Sequence, residues 1–369
     1  MEKDKENKIL NVPALRFPGF TEEWNYESLD TIAPNITSGR SKPSLGEYNL
    51  YGSTGIIGKT ATADYSGDML LVARVGANAG SLQLVNDSCG ITDNTLIIKP
   101  CKLSSHYLYF YLQHYNLNRL VFGSGQPLIT AGMLKKVRIP FGNQLEQKKI
   151  ENFLCCIDER ITTQNKIIEK LETLIKGIVE LAFSHAVTSN TLGCYITQIS
   201  QRNKIGKDLP VLSVSNKHGF VEQSEQFEDR IIASDDKSNY KIVSINDFAF
   251  NPARINVGSI ARLKDKECGI VSPMYICFRT SKNILPEYLE LFFKTVTFSS
   301  EVVKRLEGSV RLCLSYESLC EIVIPIISIR EQQSLVKMVT TFHSKLDVEK
   351  GFLSSYQSQK QCLLSQMFI

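Results

Sequence analysis

The chain has 369 residues, of which 43% are hydrophobic and 22% are charged, and its net charge at pH 7 is +4. This composition excludes a disordered or fibrous protein, and the length allows two or three domains that each bury a core. No run of 18 apolar residues occurs and the first ten residues are mostly charged, so we expect no membrane span, no signal peptide and a cytoplasmic location. A net charge this small favours no class of partner by itself.

The ten cysteines are spaced in a way that argues against disulfides and zinc sites. No Cys-x-x-Cys pair occurs, and the five histidines do not stand beside cysteines at zinc-ligand spacing. We therefore predict reduced thiols, most of them buried as small hydrophobic groups, and no metal site.

A long stretch of the sequence is echoed half a chain later. GSGQPLITAGMLKKVRIP, from Gly123 to Pro140, corresponds to GSVRLCLSYESLCEIVIP, from Gly308 to Pro325. At the same spacing, Glu146-Gln147 matches Glu331-Gln332, and Phe183 matches Phe368. The pattern predicts a tandem duplication of one large unit, related by a pseudo-twofold axis, rather than a solenoid of short repeats.

Each unit has two unlike parts. The first parts, 1–143 and 187–328, contain short β-forming runs between Gly, Asn, Asp and Ser clusters, followed by a helical stretch. The second parts, 144–186 and 329–369, each read as one long helix. The predicted fold class is therefore α+β, with two loop-rich modules joined by two long helices.

Heptad-spaced apolar residues in both helices predict coiled-coil pairing. The helices are expected over 145–183 and 330–368, and the first would be about 58 Å long. Because a whole module separates the two helices, an antiparallel pair is the economical arrangement, and it would act as a ruler between the modules. Gln164, Glu349 and Lys360 interrupt the apolar seam. The residues predicted to pair the helices or bind partners are Leu154, Ile157, Ile161, Ile168, Leu171, Ile175, Ile178, Val339, Phe342, Leu346, Leu353, Tyr356 and Leu363.

Two stretches come close to catalytic motifs. GSTGIIGKT (52–60) ends like a phosphate-binding loop but has Ser53 where that motif needs glycine. FAFNPAR (248–254) is similar to the Asn-Pro motif of adenine methyltransferases, but Ala253 and Arg254 stand where that motif has Pro or Trp and an aromatic residue. No Ser-His-Asp set, carboxylate pair or metal cluster emerges, and we predict no catalytic residue.

The loops are rich in side chains suited to DNA, because Arg, Lys, Asn and Gln read base edges and Ser, Thr and Lys suit phosphates. Arg74 and Arg254 are expected to occupy equivalent places in the two units. Gly39, Gly52 and Gly80 are expected to allow positive φ angles. The predicted DNA contacts are Ser38, Arg40, Ser41, Lys42, Tyr51, Ser53, Thr54, Arg74, Asn78, Ser124, Gln126, Arg202, Asn203, Lys204, Ser215, Asn216, Lys217, His218, Arg254, Asn256, Ser309 and Arg311.

The order of these segments resembles the specificity subunit of type I restriction–modification systems. The resemblance lies in LRFPGFTEEW (15–24), YGSTGIIGK, ARVGANAGS, GSGQPLIT, a strand ending in Ile-Pro and a Glu-Gln pair opening a long helix, in a duplicated layout. It implies a non-catalytic protein with two target-recognition domains (1–143 and 187–328), each reading one half of a bipartite, asymmetric site in double-stranded DNA. The two helices (144–186 and 329–369) would form an antiparallel spacer.

The resemblance also implies partners. Two methyltransferase subunits would bind this chain, and restriction/translocase subunits would join the full complex. S-adenosylmethionine, ATP and Mg would belong to those partners, with no cofactor on this chain. In the second copy, GSGQP is replaced by GSVRL (308–312), so Gln126 and Arg311 need not share a role.

Two other functions stay open at this level. The chain could be a scaffold that binds proteins through its helices and reads no DNA. It could also be a self-contained methyltransferase built on Asn251-Pro252, which would then bind S-adenosylmethionine.

Overall fold

A computed structural model describes the chain over residues 11–121, 127–184, 188–216, 218–223, 237–308 and 311–369. The chain divides into two compact units. The first combines Met1–Lys166 with Lys350–Ile369, and the second is Ile167–Glu349. Among the described residues, no helix is both long and apolar enough to cross a membrane.

In the part that the structure describes, the first unit contains one module with nine strands and three short α-helices. The strands are β1 (Asn25–Ser28), β2 (Thr37–Ser38), β3 (Tyr48–Gly52), β4 (Gly55–Thr60), β5 (Asp68–Ala73), β6 (Leu82–Asn86), β7 (Gly90–Ile91), β8 (Thr95–Ile98) and β9 (Arg138–Phe141). The helices are α1 (Leu29–Ile32), α2 (Ser105–Tyr115) and α3 (Ala131–Lys135). Sheet β2-β8-β5-β6 is antiparallel, sheet β4-β3-β7 joins β3 and β7 in parallel, and β1 pairs with β9.

Strand β5 lies at the centre of this module's core, and both of its faces are buried. Successive side chains of a strand point to opposite faces. Leu70 and Val72 pack with α2 residues such as Leu108, whereas Met69 and Leu71 join a second cluster with side chains of β3 and β7. This double burial explains why the sequence of β5 is apolar without alternation.

Over its described residues, the second unit contains a module with ten strands and three short helices of five residues or more. The strands are β10 (Thr188–Thr191), β11 (Ile196–Ile199), β12 (Val211–Ser215), β13 (Gly219–Glu222), β14 (Lys241–Ser244), β15 (Phe248–Phe250), β16 (Ile260–Arg262), β17 (Cys268–Val271), β18 (Ile276–Thr280) and β19 (Val323–Ile326). The helices are α5 (Pro286–Phe292), α6 (Val296–Lys304) and α7 (Tyr316–Cys320). The sheets are β11-β18-β15-β16, β13-β12-β17-β14 and β10-β19.

The two modules have the same strand connectivity. Sheet β2-β8-β5-β6 corresponds to β11-β18-β15-β16, and β4-β3-β7 corresponds to β13-β12-β17, to which the second module adds β14. The parallel pair β3·β7 recurs as β12·β17. The Tyr107 hydroxyl donates to the Pro140 carbonyl (3.0 Å), and the Tyr288 hydroxyl donates to the Pro325 carbonyl (2.9 Å). The predicted α+β class and duplication are confirmed at the level of topology and of single hydrogen bonds.

Both long helices form with bounds within one residue of those predicted: α4 is Gln144–Ser184 and α8 is Ile329–Met367. Each helix starts with the same side-chain-to-backbone hydrogen bond. The side-chain amide of Gln147 donates to the Gly142 carbonyl (2.8 Å), and that of Gln332 donates to the Ile327 carbonyl (2.9 Å). The match Glu-Gln to Glu-Gln in the sequence thus reflects a shared helix start.

In the first unit the two helices run antiparallel. Leu154 packs in the same cluster as Leu364 and Met367, and further along α4 Asp158 forms an ion pair with Lys360 (2.6 Å). The Lys360 ammonium also lies over the rings of Tyr109 and Phe110, at 5.6 and 5.4 Å from their centroids. A lysine in the seam therefore keeps its charge paired and its stem packed.

Most of the predicted pairing residues are buried or half-buried. Leu154, Ile157, Ile168 and Ile175 are buried in α4, as are Val339 and Leu346 in α8. The half-buried members are Ile161, Leu171, Ile178, Phe342, Leu353, Tyr356 and Leu363. Gln164, expected to interrupt the seam, is itself buried.

Near the end of α4 the buried positions shift by one residue. Val179 and Phe183 are buried where the heptad repeat predicted Ile178 and Ala182, which are only half-buried. A straight α-helix drifts by about 20° per heptad against a strict seven-residue repeat, which amounts to about one residue over five heptads. The strict repeat was therefore the wrong template for this end of the helix.

Two expectations about small residues are corrected. All ten cysteines are free thiols, but only Cys89 and Cys277 are buried. Of the three glycines expected at positive φ, only Gly80 has it (φ +92°), whereas Gly39 and Gly52 are constrained by space. A side chain on Gly39 would meet the backbone of Ile91.

Candidate nucleic-acid interface

The β7–β8 loop (92–94) of the first module holds several predicted contact loops together. The Asn94 carbonyl accepts a hydrogen bond from the Ser53 hydroxyl (3.3 Å) and another from the Arg74 amide (2.9 Å). Ser53 belongs to the β3–β4 hairpin tip and Arg74 follows β5, so two separate segments meet at one carbonyl. Sequence reasoning missed this loop, although the polar run TDN between two apolar strands was a signal.

The segment from Ser38 to Lys42 joins the same cluster of loops. The Gly39 amide donates to the Thr95 carbonyl (3.0 Å), and the absence of a side chain on Gly39 leaves room for the backbone of Ile91 and Thr92. The side chains of Arg40 and Lys42 are exposed on either side of the buried Ser41.

The β5–β6 loop completes the cluster. The Gly76 amide donates to the Pro127 carbonyl (3.1 Å), and the Arg74 carbonyl accepts from the Ile129 amide (2.9 Å). The loop turns at Gly80 and leaves Asn78 exposed. Hydrogen bonds therefore connect the segments that carry seven of the predicted contacts: Ser38, Arg40, Lys42, Ser53, Thr54, Arg74 and Asn78. Two further predicted contacts, Ser124 and Gln126, fall outside the described residues.

Two predicted contacts of the first module have structural roles. Ser41 is 7% exposed and its hydroxyl donates to the Asp64 carboxylate. This bond, with a second from Thr62, lowers the pKa of Asp64 below its ordinary value. Tyr51 is half-buried against the β5 core, and burial is the main cause of the raised pKa of its phenol, with Asp87 adding to it. Ser41 is thus unsuited to contact DNA, and Tyr51 offers only part of its ring.

In the second module the β12–β13 hairpin lies beside the β15–β16 loop. The Ser259 hydroxyl donates to the Val214 carbonyl (3.2 Å) and ties the two together. Asn216 and His218 are exposed at the hairpin, and Ser215 is half-buried there. The β15–β16 loop exposes Arg254 and Asn256, while Lys217 falls outside the described residues.

The Asn-Pro motif of this module makes a turn. The side-chain carbonyl of Asn251 accepts from the Ala253 amide (3.0 Å), and the Pro252 carbonyl accepts from the Leu314 amide (3.1 Å). The side-chain carbonyl of Asn251 is thus engaged within its own loop. The GSTGIIGKT stretch likewise forms the β3–β4 hairpin, in which the Lys59 ammonium donates to the Asn49 side chain (2.9 Å).

Arg74 and Arg254 do not occupy equivalent places, and that expectation was wrong. The Arg74 carbonyl accepts from Ile129 as the Pro252 carbonyl accepts from Leu314, which makes Pro252 the counterpart of Arg74. Arg254 corresponds instead to Gly76. The apparent match came from counting along loops without knowing which backbone groups pair.

The segment Gln201–Lys204 contains one further correction. Asn203 is 1% exposed, and its side-chain amide donates to the Lys207 carbonyl (2.9 Å) and accepts from the Lys207 amide (3.0 Å). It organises a turn and is unsuited to DNA contact. Arg202 and Lys204 are exposed, and the Arg202 guanidinium donates to the Asn239 side chain (3.1 Å).

Some cations of the modules are held in ion pairs with buried carboxylates. Arg16 is paired with Glu146 (2.6 Å) and Arg279 with Asp247 (2.6 Å). By contrast, six predicted contacts form no ion pair with any residue that the structure describes: Arg40, Lys42, Arg74, Lys204, Arg254 and Arg311. Unpaired cations on exposed loops suit a polyanionic ligand. Ser309 lies outside the described residues.

The described part of the chain contains no group of three His, Cys, Asp or Glu side chains that could hold a metal ion.

Solved specificity subunits share the fold of this chain, with two similar modules and long helices. The S subunit of a type I restriction–modification system from M. genitalium aligns over 97% of this chain and 99% of its own, with 19% identity and a TM-score of 0.63. A chain from a structure concerning complex assembly and conformational transition of the type I restriction–modification system aligns over 96% of this chain and 99% of its own, with 14% identity and a TM-score of 0.55.

The family model for the type I restriction modification DNA specificity domain matches residues 10–173. This match covers the first module and most of α4. Among curated protein sequences, none matches significantly. The resemblance to specificity subunits of type I restriction–modification systems is thereby confirmed.

Proposed function

We propose that this chain is a non-catalytic DNA sequence-specificity subunit that reads a bipartite, asymmetric site, one half per module. In this role it directs partner methyltransferase subunits, and restriction subunits where present, to that site. S-adenosylmethionine, ATP and Mg would be bound by those partners.

One observation carries the proposal. The two modules have the same strand connectivity, yet equivalent loops present different side chains. The hairpin tip offers Ser53 and Thr54 in the first module but Asn216 and His218 in the second. A shared scaffold with different loop chemistry is what reading two different half-sites requires, because base identity is distinguished by the donors and acceptors that reach the groove.

The unpaired loop cations add support, since a DNA backbone supplies the missing anions. The chain's small net charge is compatible with this role if partner subunits make many of the phosphate contacts.

The experiment is co-expression of this chain with a cognate methyltransferase subunit, followed by mapping of methylated adenines in the host DNA. We expect a bipartite motif with a fixed gap that disappears when this chain is omitted. The variant Arg254→Ala should weaken recognition of one half-site by about 1–3 kcal/mol and leave the other half unchanged. Methylation that is independent of this chain would overturn the proposal in favour of a scaffold.

A further inference from the structure

We propose that Arg74 reads a guanine in the half-site recognised by the first module. This inference rests on the proposed DNA-reading function and adds to it the base and the residue that recognises it.

The backbone of Arg74 is held from both sides. Its amide donates to the Asn94 carbonyl (2.9 Å), and its carbonyl accepts from the Ile129 amide (2.9 Å). Because these partners lie on the β7–β8 loop and on the segment before α3, the root of the Arg74 side chain is fixed between two other loops. Base readout needs a side chain that starts from a defined position.

The guanidinium of Arg74 donates to no acceptor on the residues that the structure describes. Its Nε atom is buried and has no hydrogen-bond partner among the described residues, and the side chain makes no ion pair with them. A buried N–H without an acceptor costs free energy, so turning the side chain towards an external acceptor is favoured. Arg16 and Arg279 differ in this respect, because each donates through two nitrogens to one carboxylate, that of Glu146 and Asp247 respectively.

Guanine has the acceptor pattern that fits such a fork. Its O6 and N7 atoms lie side by side in the major groove and accept two parallel hydrogen bonds from arginine. A phosphate also accepts two bonds, but the exposed Arg40 and Lys42 suit phosphates better than the half-buried Arg74 does.

The second module has no such reader at this position. Its counterpart of Arg74 is Pro252, whose side chain carries no donor, and its own loop cation, Arg254, stands two residues later. Guanine readout at this position therefore belongs to the first half-site alone, which gives one physical source of asymmetry between the two half-sites.

The test uses the complex of this chain with its methyltransferase partner and duplexes carrying the mapped site. The half-site of the first module is the one that Arg254→Ala leaves unaffected. Each guanine of that half is replaced in turn by 7-deazaguanine, which removes the N7 acceptor and keeps Watson–Crick pairing. Methylation rates are measured for the wild type, Arg74→Ala and Arg74→Lys.

At one guanine, we expect 7-deazaguanine to slow the wild type about tenfold or more, the worth of one charge-assisted hydrogen bond. Arg74→Ala should lose this sensitivity, and Arg74→Lys should keep only a weaker one, because lysine keeps the charge but not the planar fork. Their recognition of the second half-site should be unchanged, which serves as the control for folding and assembly.

The proposal is overturned if the first half-site contains no guanine, or if Arg74→Ala keeps the wild-type sensitivity at every guanine. It is also overturned if Arg74→Lys behaves like the wild type, since charge alone would then suffice. Failure of the proposed function looks different: methylation sites would then not depend on this chain at all.

Discussion

The ring of Phe368 lies 5.5 Å from that of Tyr107, between centroids, so the residue that follows α8 packs on helix α2 of the first module. The second unit contains the same pair, with Phe183 near the end of α4 lying 4.8 Å from Tyr288. All four rings are buried. The end of each long helix thus contributes an aromatic side chain to the core of a module, and the helices are part of the module fold rather than attachments to it.

Removal of the Phe368 ring should destabilise the first unit. We expect Phe368→Ala to cost about 3–5 kcal/mol, because the ring is fully enclosed and its loss leaves a cavity. The chain has one tryptophan, Trp24, whose ring lies 6.4 Å from that of Phe368. Urea unfolding of the full chain, followed by Trp24 fluorescence, measures the change in this unit.

The matched control is Phe183→Ala, which removes the corresponding ring in the second unit. We expect it to leave the Trp24 transition near that of the wild type, while circular dichroism reports a loss of stability elsewhere. Equal shifts of the Trp24 transition in both variants would contradict the assignment of each ring to its own unit.

Glu146 should be a second determinant of stability in the first unit. Its carboxylate is fully buried and accepts from the Arg16 guanidinium (2.6 and 2.8 Å) and from the Trp24 indole (3.0 Å). Breaking a buried ion pair by removing one charge typically costs about 3–5 kcal/mol, and we expect Glu146→Gln to fall in this range. The readout is again the Trp24 transition.

The control is Glu331→Gln at the matching position of α8. Glu331 is exposed and bonds only to Ser328 at the helix start, among the described residues. We expect this variant to leave the Trp24 transition unchanged. A similar loss in both variants would mean that the Arg16–Glu146 pair adds nothing beyond helix capping.

The long helices and the duplicated layout were predictable because periodicity and spacing survive in the sequence without knowledge of partners. The heptads predicted both helices to within one residue, and the Tyr, Pro and Phe landmarks of one copy recur in the other. Periodicity could not predict the drift of the buried face, which leaves Val179 buried and the predicted Ile178 only half-buried.

The candidate interface was predictable only as a set of polar loops. Whether a polar side chain faces solvent or closes a turn depends on which backbone groups meet, and neighbouring residues in the sequence do not reveal this. Ser41 and Asn203 look like contact residues in a list, yet they are buried and bonded to Asp64 and to Lys207. The role of the β7–β8 loop could not be predicted from side chains, because the group that accepts the hydrogen bonds is the backbone carbonyl of Asn94.

Stability of the first unit should fall at mildly acidic pH because of His114. Its ring is half-buried, 5.9 Å from that of Phe368. Burial is the main cause of the lowered pKa of this imidazole, with the charge of Arg119 adding to it and the backbone of Leu364 and Ile369 opposing it.

Because the folded-state pKa lies below the ordinary value, the unfolded chain binds more protons as pH falls below about 6.5. The folded state is therefore penalised through that window and unaffected above it. Between about pH 7.5 and about pH 5.5, we expect the Trp24 transition to lose more stability in the wild type than in His114→Gln. Carboxylates titrate alike in both proteins, so equal losses would rule out His114 as the cause.

Asn203 and Lys204 are neighbours in sequence that should behave in opposite ways. We expect Asn203→Ala to lower the stability of the second unit by about 1–3 kcal/mol, since it removes the two hydrogen bonds between the buried Asn203 side chain and the backbone of Lys207. Lys204→Ala, at an exposed cation, should leave stability unchanged. Lys204→Ala should weaken DNA binding evenly across sequences and reduce the slope of the logarithm of the binding constant against the logarithm of the salt concentration by about one.

Thermal unfolding of the chain and salt titrations of the methyltransferase complex on duplex DNA separate the two effects. An Asn203→Ala protein of full stability with altered base preference would restore Asn203 to the DNA interface, and a sequence-dependent loss in Lys204→Ala would assign the lysine to a base rather than a phosphate.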